Sequence, residues 1–200
     1  MKVLLFGHSY VNHLRNLGGW NREIDLASGD KVDLEFVFGG HPGKDFGYFL
    51  ENDHVFNIIT QEQPDIIVVI LGGNSIKEGV SNSDIKRDSS LFFQKLSTYI
   101  KAGCIRLVVQ VEPRFCLPGN RFGTPTYPVF ERRRNIINNH FNVKIKRNLK
   151  LVEGVVLLGS VNFLNKVENF SDGVHLKKAG LILYRKALLG SIAYALSHRQ

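Results

Sequence analysis

The sequence is poor in cysteine and in long apolar runs, and it has no linker-like block of proline, serine or acidic residues. Two cysteines, Cys104 and Cys116, are too few for a disulfide-stabilised scaffold and favour a reducing compartment. No run of about 18 apolar residues predicts a transmembrane segment, and the apolar stretch 1–7 is too short for a signal peptide. We therefore expect an intracellular (cytoplasmic) protein, or a domain excised from a larger intracellular protein.

Hydrophobic residues make up 44% of the 200 residues. A chain of this length buries about 70% of its unfolded surface, which is enough for one sizeable core. Neither an internal repeat nor a linker divides it. We interpret residues 1–200 as a single domain, and its oligomeric state stays open.

The formal net charge is +8. Such a surplus favours association with polyanions, so nucleic acid and anionic lipid are the candidate partners. The densest cluster is Arg132, Arg133 and Arg134, within a predicted helix. A basic surface without a dedicated partner explains the charge equally well.

Apolar runs alternate with amphipathic stretches along the whole chain. The runs predict five strands, at 3–6, 32–38, 66–71, 105–111 and 155–158, of which the second alternates with acidic residues as at a sheet edge. The amphipathic stretches predict helices, at 9–17, 45–60, 84–101, 128–150 and 175–197. This β/α alternation predicts an α/β fold with a doubly wound, five-stranded parallel sheet. Ligands of such sheets bind beyond the carboxyl ends of the strands.

Ser9 follows the first predicted strand, at the start of a helix. Backbone N–H groups and the helix dipole at this position favour developing negative charge, which helps a nucleophilic oxygen. The alternative is that Ser9 only caps the helix.

Two glycine-containing segments follow the second and third strands. The loop 39–45 has three glycines in its first five residues, so its backbone can approach a ligand and provide part of an oxyanion hole, or can simply form a tight turn. Asn74 follows a glycine pair and is a candidate amide donor to an oxyanion, or a helix cap.

Asp172 and His175 are three residues apart, just before the last predicted helix. Around a turn this spacing lets the carboxylate reach His Nδ1, which fixes the tautomer and leaves Nε2 for a nucleophile. A capping aspartate beside a surface histidine would look similar in sequence.

Taken together, the segments 7–9, 39–45, 72–74 and 172–175 resemble the four conserved blocks of the SGNH hydrolase (GDSL-like esterase) superfamily. The resemblance spans nearly the whole chain. It implies a flavodoxin-like three-layer fold and hydrolysis of acyl esters, with Ser9 as nucleophile, His175 as general base and Asp172 as its orienting partner. It also implies an oxyanion hole made by the backbone N–H of Ser9, a glycine N–H and the Asn74 side chain.

Two features of the resemblance are specific to this chain. His8 stands where the superfamily usually has aspartate before the serine, and the glycine register is ambiguous, with Gly43 favoured over Gly40 by its spacing to Asp45. The chain also resembles the esterase domains found in the first open reading frame of some animal LINE retrotransposons, a setting that its basic charge fits.

No metal site or cofactor is expected, because the histidines lack paired ligand spacing and no phosphate-binding glycine motif is present. The segment 116–128 is the longest stretch without periodicity. It is a candidate lid or acyl-pocket wall, or else an ordinary surface loop. The acyl group is expected to be short, of the acetyl type, because a compact chain without insertions has little surface to enclose a long one.

Overall fold

A twisted sheet runs through the protein and carries the candidate residues at one of its edges. The computed structural model describes residues 1–115, 126–156 and 167–198. Within them the strands are β1 (Lys2–Gly7), β2 (Arg22–Asp25), β3 (Lys31–Gly40), β4 (Ile66–Ile70), β5 (Ile105–Val109) and β6 (Gly154–Val156). Their order is β2-β3-β1-β4-β5-β6, and every pair is parallel except β2 with β3. The α/β fold with a doubly wound sheet is confirmed.

The expected count of five strands was wrong by one. Strand β2 pairs antiparallel with β3, so β3 is not the edge that its alternating sequence suggested. Strand β2 has only one apolar residue, Ile24, among its four, and so it lacks the apolar run by which the other strands were recognised. The last predicted strand begins one residue earlier than expected, and positions 157 and 158 lie outside the described residues.

Helices cover both faces of the sheet. They are α1 (Ser9–Arg15), α2 (Phe46–Glu51), α3 (Asn57–Glu62), α4 (Asn82–Ser97), α5 (Tyr127–His140) and α6 (Lys178–Ser197), together with a π-helical extension of α5 (Phe141–Asn148) and short 3₁₀ turns at Asp53–Phe56, Gly73–Ser75 and Val167–Asn169. The observed helices differ from the predicted ones at their ends; the helix predicted at 84–101, for example, spans Asn82–Ser97. The segment 45–60 is broken at Asn52, and the last helix begins at Lys178 instead of His175.

Alternate residues of the central strands feed two separate cores. Leu5 of β1 and Val68 of β4 pack with α1 and α6 on one face. Leu4 and Ile67 pack on the other face with α2 to α5. This alternation follows from the two-residue period of a strand, and it gives the three-layer arrangement that the resemblance to the superfamily implied.

Helix α6 is the one described helix that is long and apolar enough to cross a membrane by length and mean hydropathy. The sequence criterion of an unbroken apolar run did not detect it. One face of α6 lies in the core, through Leu181, Tyr184, Leu188 and Ile192. The helix thus contributes to the packing of the α/β domain.

Strand β1 lies at the point where the chain changes direction across the sheet. It pairs with β3 on one side and with β4 on the other, so the connection from β3 to β4 crosses over it. A crevice forms at such a point beyond the carboxyl ends of the strands. Ser9 comes two residues after β1, at this crevice.

Candidate active site

Ser9 is the first residue of α1 and does not cap it. The N-cap is His8, whose Nδ1 accepts the backbone N–H of Tyr10 at 3.4 Å. The alternative of Ser9 as the cap was therefore wrong. As the first helical residue, Ser9 has no intrahelical acceptor for its own backbone N–H. Its hydroxyl and its N–H both remain available for contacts outside the helix.

Asp172 uses both carboxylate oxygens to build the turn that carries His175. Oδ1 accepts the backbone N–H groups of Val174 at 2.9 Å and His175 at 2.7 Å. Oδ2 lies 2.8 Å from Nδ1 of His175. Because a carboxylate only accepts, Nδ1 carries the hydrogen and Nε2 presents its lone pair. Asp172 thus both caps the turn and sets the tautomer of the imidazole.

Ser9 and His175 meet although 166 positions separate them. The distance from Ser9 Oγ to His175 Nε2 is 3.1 Å. With the Asp172 contact, this makes a continuous serine, histidine and aspartate chain of hydrogen bonds. Such a chain is the arrangement by which an imidazole removes the proton of a serine hydroxyl.

Tyr10 couples the helix of Ser9 to the turn of His175. Its hydroxyl donates to the carbonyl oxygen of Val174 at 2.7 Å and accepts the N–H of Leu176 at 3.3 Å. These two contacts lie on either side of His175. Because Tyr10 is buried, it holds the imidazole at a fixed position relative to Ser9.

The charge state of Asp172 follows from opposing effects. Partial burial acts to raise the pKa of its carboxyl group, but hydrogen bonds from the His175 side chain and from the N–H groups of His175 and Val174 lower it. The net pKa of Asp172 lies below its ordinary value. Asp172 is therefore ionised near neutral pH, the state in which a carboxylate can stabilise an imidazolium.

Gly43 sits in a tight turn that faces Ser9. The N–H of Lys44 donates to the carbonyl of His41 at 3.3 Å, and Gly43 has a φ of 73°. Proline followed by glycine at positive φ is typical of a type II turn, so Pro42 and Gly43 fit the central positions. Gly40, in contrast, is the last residue of β3 and lies opposite Gly7.

The Asn74 side chain does not cap a helix. It belongs to the 3₁₀ turn after β4, where its Nδ2 donates to the carbonyl of Lys44 at 3.0 Å. Its Oδ1 accepts from Nη2 of Arg114 at 2.7 Å. The amide therefore connects the glycine turn to the carboxyl end of β5.

A cavity of about 260 Å³ brings the candidate residues together. Its walls are formed by Ser9, Pro42, Gly43, Asn74, Ile76, Lys77, Arg114, Val174 and His175. Gly40 is absent from these described walls, so the arrangement favours Gly43 as the glycine donor. A larger groove of about 680 Å³ lies between β6 and α6 and contains none of the candidate residues.

Sequence reasoning missed a buried polar group beneath the site. Glu112 is buried and accepts the Tyr184 hydroxyl at 2.6 Å. Its Oε2 lies 3.7 Å from Nε2 of His8. This Nε2 atom has no hydrogen-bond partner among the described residues. Burial raises the pKa of Glu112, and burial, aided by Arg114, lowers the pKa of His8 to about 3. His8 is therefore neutral at physiological pH, and the pair is not a salt bridge.

Glu112 and Arg114 had a detectable signal in the sequence. Both follow a buried parallel strand, which is where ligand-binding residues concentrate. The fourth strand was predicted to end at Val111, and no role was predicted for Glu112 or Arg114.

Two residues of the arginine cluster, Arg133 and Arg134, are bound to neighbouring groups, whereas Arg132 is exposed. Arg133 donates to Asn82 and to the carbonyls of Lys77 and Val80. Arg134 pairs with Glu131 at 2.7 Å. Successive helical residues point about 100° apart, so the three arginines cannot form one surface.

No group of three or more metal-ligating side chains occurs in the part of the chain that the structure describes. Cys104 is buried, which raises its pKa to about 11. Cys116 and most of the candidate lid at 116–128 lie outside the described residues.

No protein-family model and no curated protein matches this sequence. Solved structures do match it. A lipase/acylhydrolase from Enterococcus faecalis is 15% identical, with a TM-score of 0.66 over 96% of this chain and 95% of that one. The psychrotrophic esterase EstA from Pseudoalteromonas sp. is 15% identical, with a TM-score of 0.65 over 98% and 99%.

An acetylxylan esterase, Axe2 from Geobacillus stearothermophilus, is 12% identical, with a TM-score of 0.62 over 96% of this chain and 93% of that one. At such low identities the likeness is one of fold, and it extends over almost the full length of each protein. The chain therefore has the α/β fold of the GDSL-type (SGNH) esterases and acylhydrolases.

Proposed function

We propose that this chain is a serine esterase that hydrolyses acyl esters through a covalent acyl-enzyme. The observation that carries the proposal is the contact of Ser9 Oγ with His175 Nε2 at 3.1 Å, continued from Nδ1 to Asp172 at 2.8 Å. Its fold, shared with solved esterases, supports the same reaction class. We place the reaction in one domain formed by residues 1–200.

In the first step Ser9 Oγ attacks the ester carbonyl carbon while His175 Nε2 takes the hydroxyl proton. Asp172 stabilises the imidazolium that forms. The imidazolium then gives the proton to the leaving alkoxide, and the acyl group stays on Ser9. In the second step water attacks the acyl-enzyme, His175 accepts its proton, and the carboxylic acid leaves as Ser9 regains a proton.

The tetrahedral intermediate of each step carries a negative oxygen. The first N–H of α1, at Ser9, is favourably placed for it by the helix dipole. The Gly43 N–H and the Asn74 amide border the same cavity and complete the proposed oxyanion hole. None of these steps requires a cofactor.

The acyl group is proposed to be short, of the acetyl type. The cavity at Ser9, about 260 Å³, is below the roughly 300–1,000 Å³ of clefts for drug-sized ligands. It must also admit the ester oxygen and the first atoms of the leaving group. Little of its volume remains for a long acyl chain.

We expect the purified protein to hydrolyse p-nitrophenyl acetate with a kcat/KM at least tenfold above that for p-nitrophenyl octanoate. Initial rates at several substrate concentrations measure both. Faster turnover of octanoate would contradict the short-acyl proposal while supporting the esterase. Turnover of neither ester would leave a catalytically weak or inactive module that acts by binding.

A second candidate function is association with a polyanion. It is favoured by the clustering of positive charge in one segment of the chain. Residues 127–150 hold seven Lys or Arg and one acidic residue, a net charge of +6 out of the +8 of the whole chain. Arg132, Lys144, Arg147 and Lys150 in this segment are exposed. A groove of about 520 Å³ beside them is lined by Lys86, Asn135, Ile136, Asn139, His140, Val143, Lys144 and Asn148, without a carboxylate.

We propose that this basic face binds nucleic acid or anionic lipid inside the cell, as would suit a retrotransposon protein. Changing Lys144, Arg147 and Lys150 to glutamate should weaken binding to single-stranded RNA at least tenfold and flatten its salt dependence. Fluorescence anisotropy at several salt concentrations measures both. The same charge change at the exposed Arg15, Arg22 and Lys186 is the control. Equal losses in the two triple variants would contradict a localised face, and binding to anionic vesicles alone would select lipid.

A further inference from the structure

Arg114 lies against Asn74, although it has no place in the proposed triad or oxyanion hole. Its Nη2 donates to Asn74 Oδ1 at 2.7 Å. The arginine is only 4% exposed, yet it borders the cavity that contains Ser9. A charged group so placed acts on the amide at close range.

The contact fixes which atom of the amide faces which way. A carboxamide can turn over by 180° and exchange its oxygen and its nitrogen with little change in shape. A guanidinium only donates, so it selects the orientation with Oδ1 towards Arg114. The Lys44 carbonyl only accepts, and it lies 3.0 Å from Nδ2, so it selects the same orientation. One Nδ2 hydrogen serves that carbonyl, and the second remains for an oxyanion.

The same contact strengthens the amide as a donor. A hydrogen bond from a cationic donor is about twice as strong as a neutral one. It draws electron density towards Oδ1, which makes the Nδ2 hydrogens more positive, and linked hydrogen bonds strengthen one another in this way. The benefit is greatest when the substrate oxygen becomes negative.

The position of the guanidinium depends on a residue without a side chain. A Cβ at Gly73 would lie 2.7 Å from Nη2 of Arg114 and 3.3 Å from its Cζ. On another side the guanidinium carbon lies 5.6 Å from the centre of the Phe130 ring, a cation–π distance. Gly73 thus leaves the space in which Arg114 reaches its neighbour Asn74.

We propose that Arg114 is a positioning residue for ester hydrolysis, which orients and polarises the Asn74 amide so that Nδ2 donates to the oxyanion. The inference rests on the proposed esterase function. It assigns a task to the arginine after β5 and a reason for the glycine before Asn74. Arg114 acts through Asn74 and takes no proton in the reaction.

The test is a double-mutant cycle on p-nitrophenyl acetate. Asn74→Ala should lower kcat roughly 10²-fold, the effect of losing one oxyanion donor. Arg114→Met, which keeps an unbranched apolar stem, should lower kcat roughly 10- to 100-fold with KM changed less than about threefold. The double variant should be no slower than Asn74→Ala alone, because the arginine acts only through that amide. Arg114→Lys should recover part of the loss.

A second pair of variants leaves both side chains in place. Gly73→Ala should lower kcat by displacing the guanidinium. Gly190→Ala in α6 is the matched control, since an added Cβ there meets nothing within 4 Å. This pair keeps the test decisive if Arg114→Met fails to fold, which circular dichroism reports.

The outcomes distinguish failure of the positioning role of Arg114 from failure of the proposed esterase function. Losses that multiply in the double variant, or a kcat for Arg114→Met within about twofold of the parent, would overturn the inference while the esterase stands. If Arg114→Met does not fold, an unchanged kcat in Gly73→Ala overturns it instead. A parent that neither turns over ester nor reacts at Ser9 would remove the proposed function and this inference together.

Discussion

Replacing Ser9 with alanine should abolish acyl-enzyme formation and lower kcat for p-nitrophenyl acetate by a factor on the order of 10⁶, as loss of a triad nucleophile does elsewhere. The reason is the 3.1 Å contact that makes the Ser9 hydroxyl the proton donor to His175. A fluorophosphonate should label the parent on the peptide containing Ser9, and should not label the variant. Mass spectrometry of the digested protein measures this directly.

The matched control is Ser83→Ala, because Ser83 is an exposed serine near the start of α4 and is not among the residues that line the cavity. That variant should keep the parent's labelling and turnover. Labelling of the Ser9→Ala variant at the parent's rate would remove Ser9 from the role of nucleophile.

Asp172→Asn tests the orientation of the imidazole within the same triad. Oδ1 of Asp172 accepts two backbone N–H groups, so an asparagine keeps its oxygen there and turns its Nδ2 towards His175 Nδ1. Two donors would then face each other unless the imidazole proton moves to Nε2, where it blocks acceptance of the Ser9 proton. A loss of kcat by about 10⁴-fold is expected, with the fold unchanged.

Local sequence predicted the candidate triad because each member lies next to a recognisable element. Ser9 follows an apolar strand, and Asp172 and His175 precede an apolar helix. The parallel sheet then brings the carboxyl ends of its strands to one edge, whatever their separation in sequence. Their roles in catalysis remain predictions.

The parts that escaped prediction depend on contacts between distant segments. The helix expected at 45–60 breaks at Asn52, whose φ of −123° and ψ of 88° are not helical. Nearby, Lys95 of α4 donates to the carbonyl of Leu50 at 2.5 Å and pairs with Asp53. Tertiary contacts of this kind override helical periodicity, and no local sequence pattern predicts them.

The proposed role of Arg114 also could not be predicted from local sequence. Its partner Asn74 is 40 positions away, and the space that it occupies depends on Gly73. From sequence alone the glycine pair indicates backbone freedom. The structure shows in addition that the missing side chain of Gly73 leaves space for the Arg114 guanidinium. In the basic cluster, likewise, Arg133 and Arg134 donate to the carbonyl oxygens of Lys77 and Val111, which are distant in sequence.

The second large effect is expected in acid, from the buried His8. Its ring is fully buried, and it lies among Glu112, Arg114 and the histidines His13 and His175. Burial, and then the nearby positive charges, lower its pKa from an ordinary value of 6.5 to about 3. Between these values the unfolded chain binds a proton at His8 that the folded chain does not. The free energy of unfolding therefore falls as the pH decreases through this window.

Changing His8 to asparagine should remove that part of the acid sensitivity. Asparagine keeps an oxygen that can accept the Tyr10 N–H at the N-cap, but it cannot bind a proton. At pH 7 the variant should be less stable than the parent, since the imidazole leaves a cavity. Below pH 6.5 the parent should lose its advantage over the variant in the free energy of unfolding, by up to about 1.4 kcal/mol per pH unit and by roughly 4 kcal/mol in total near pH 3.

Urea unfolding at pH 7, 6, 5 and 4 measures the free energies of unfolding of the parent and of His8→Asn. Glu112 contributes in the opposite direction, because burial raises its pKa and the folded chain then binds the extra proton, but it is present in both proteins. His54→Asn is the control, since it makes the same change at an exposed histidine. A stability difference between parent and His8→Asn that stays constant from pH 7 to 4 would show that His8 gains its proton in the folded protein as readily as in the unfolded one.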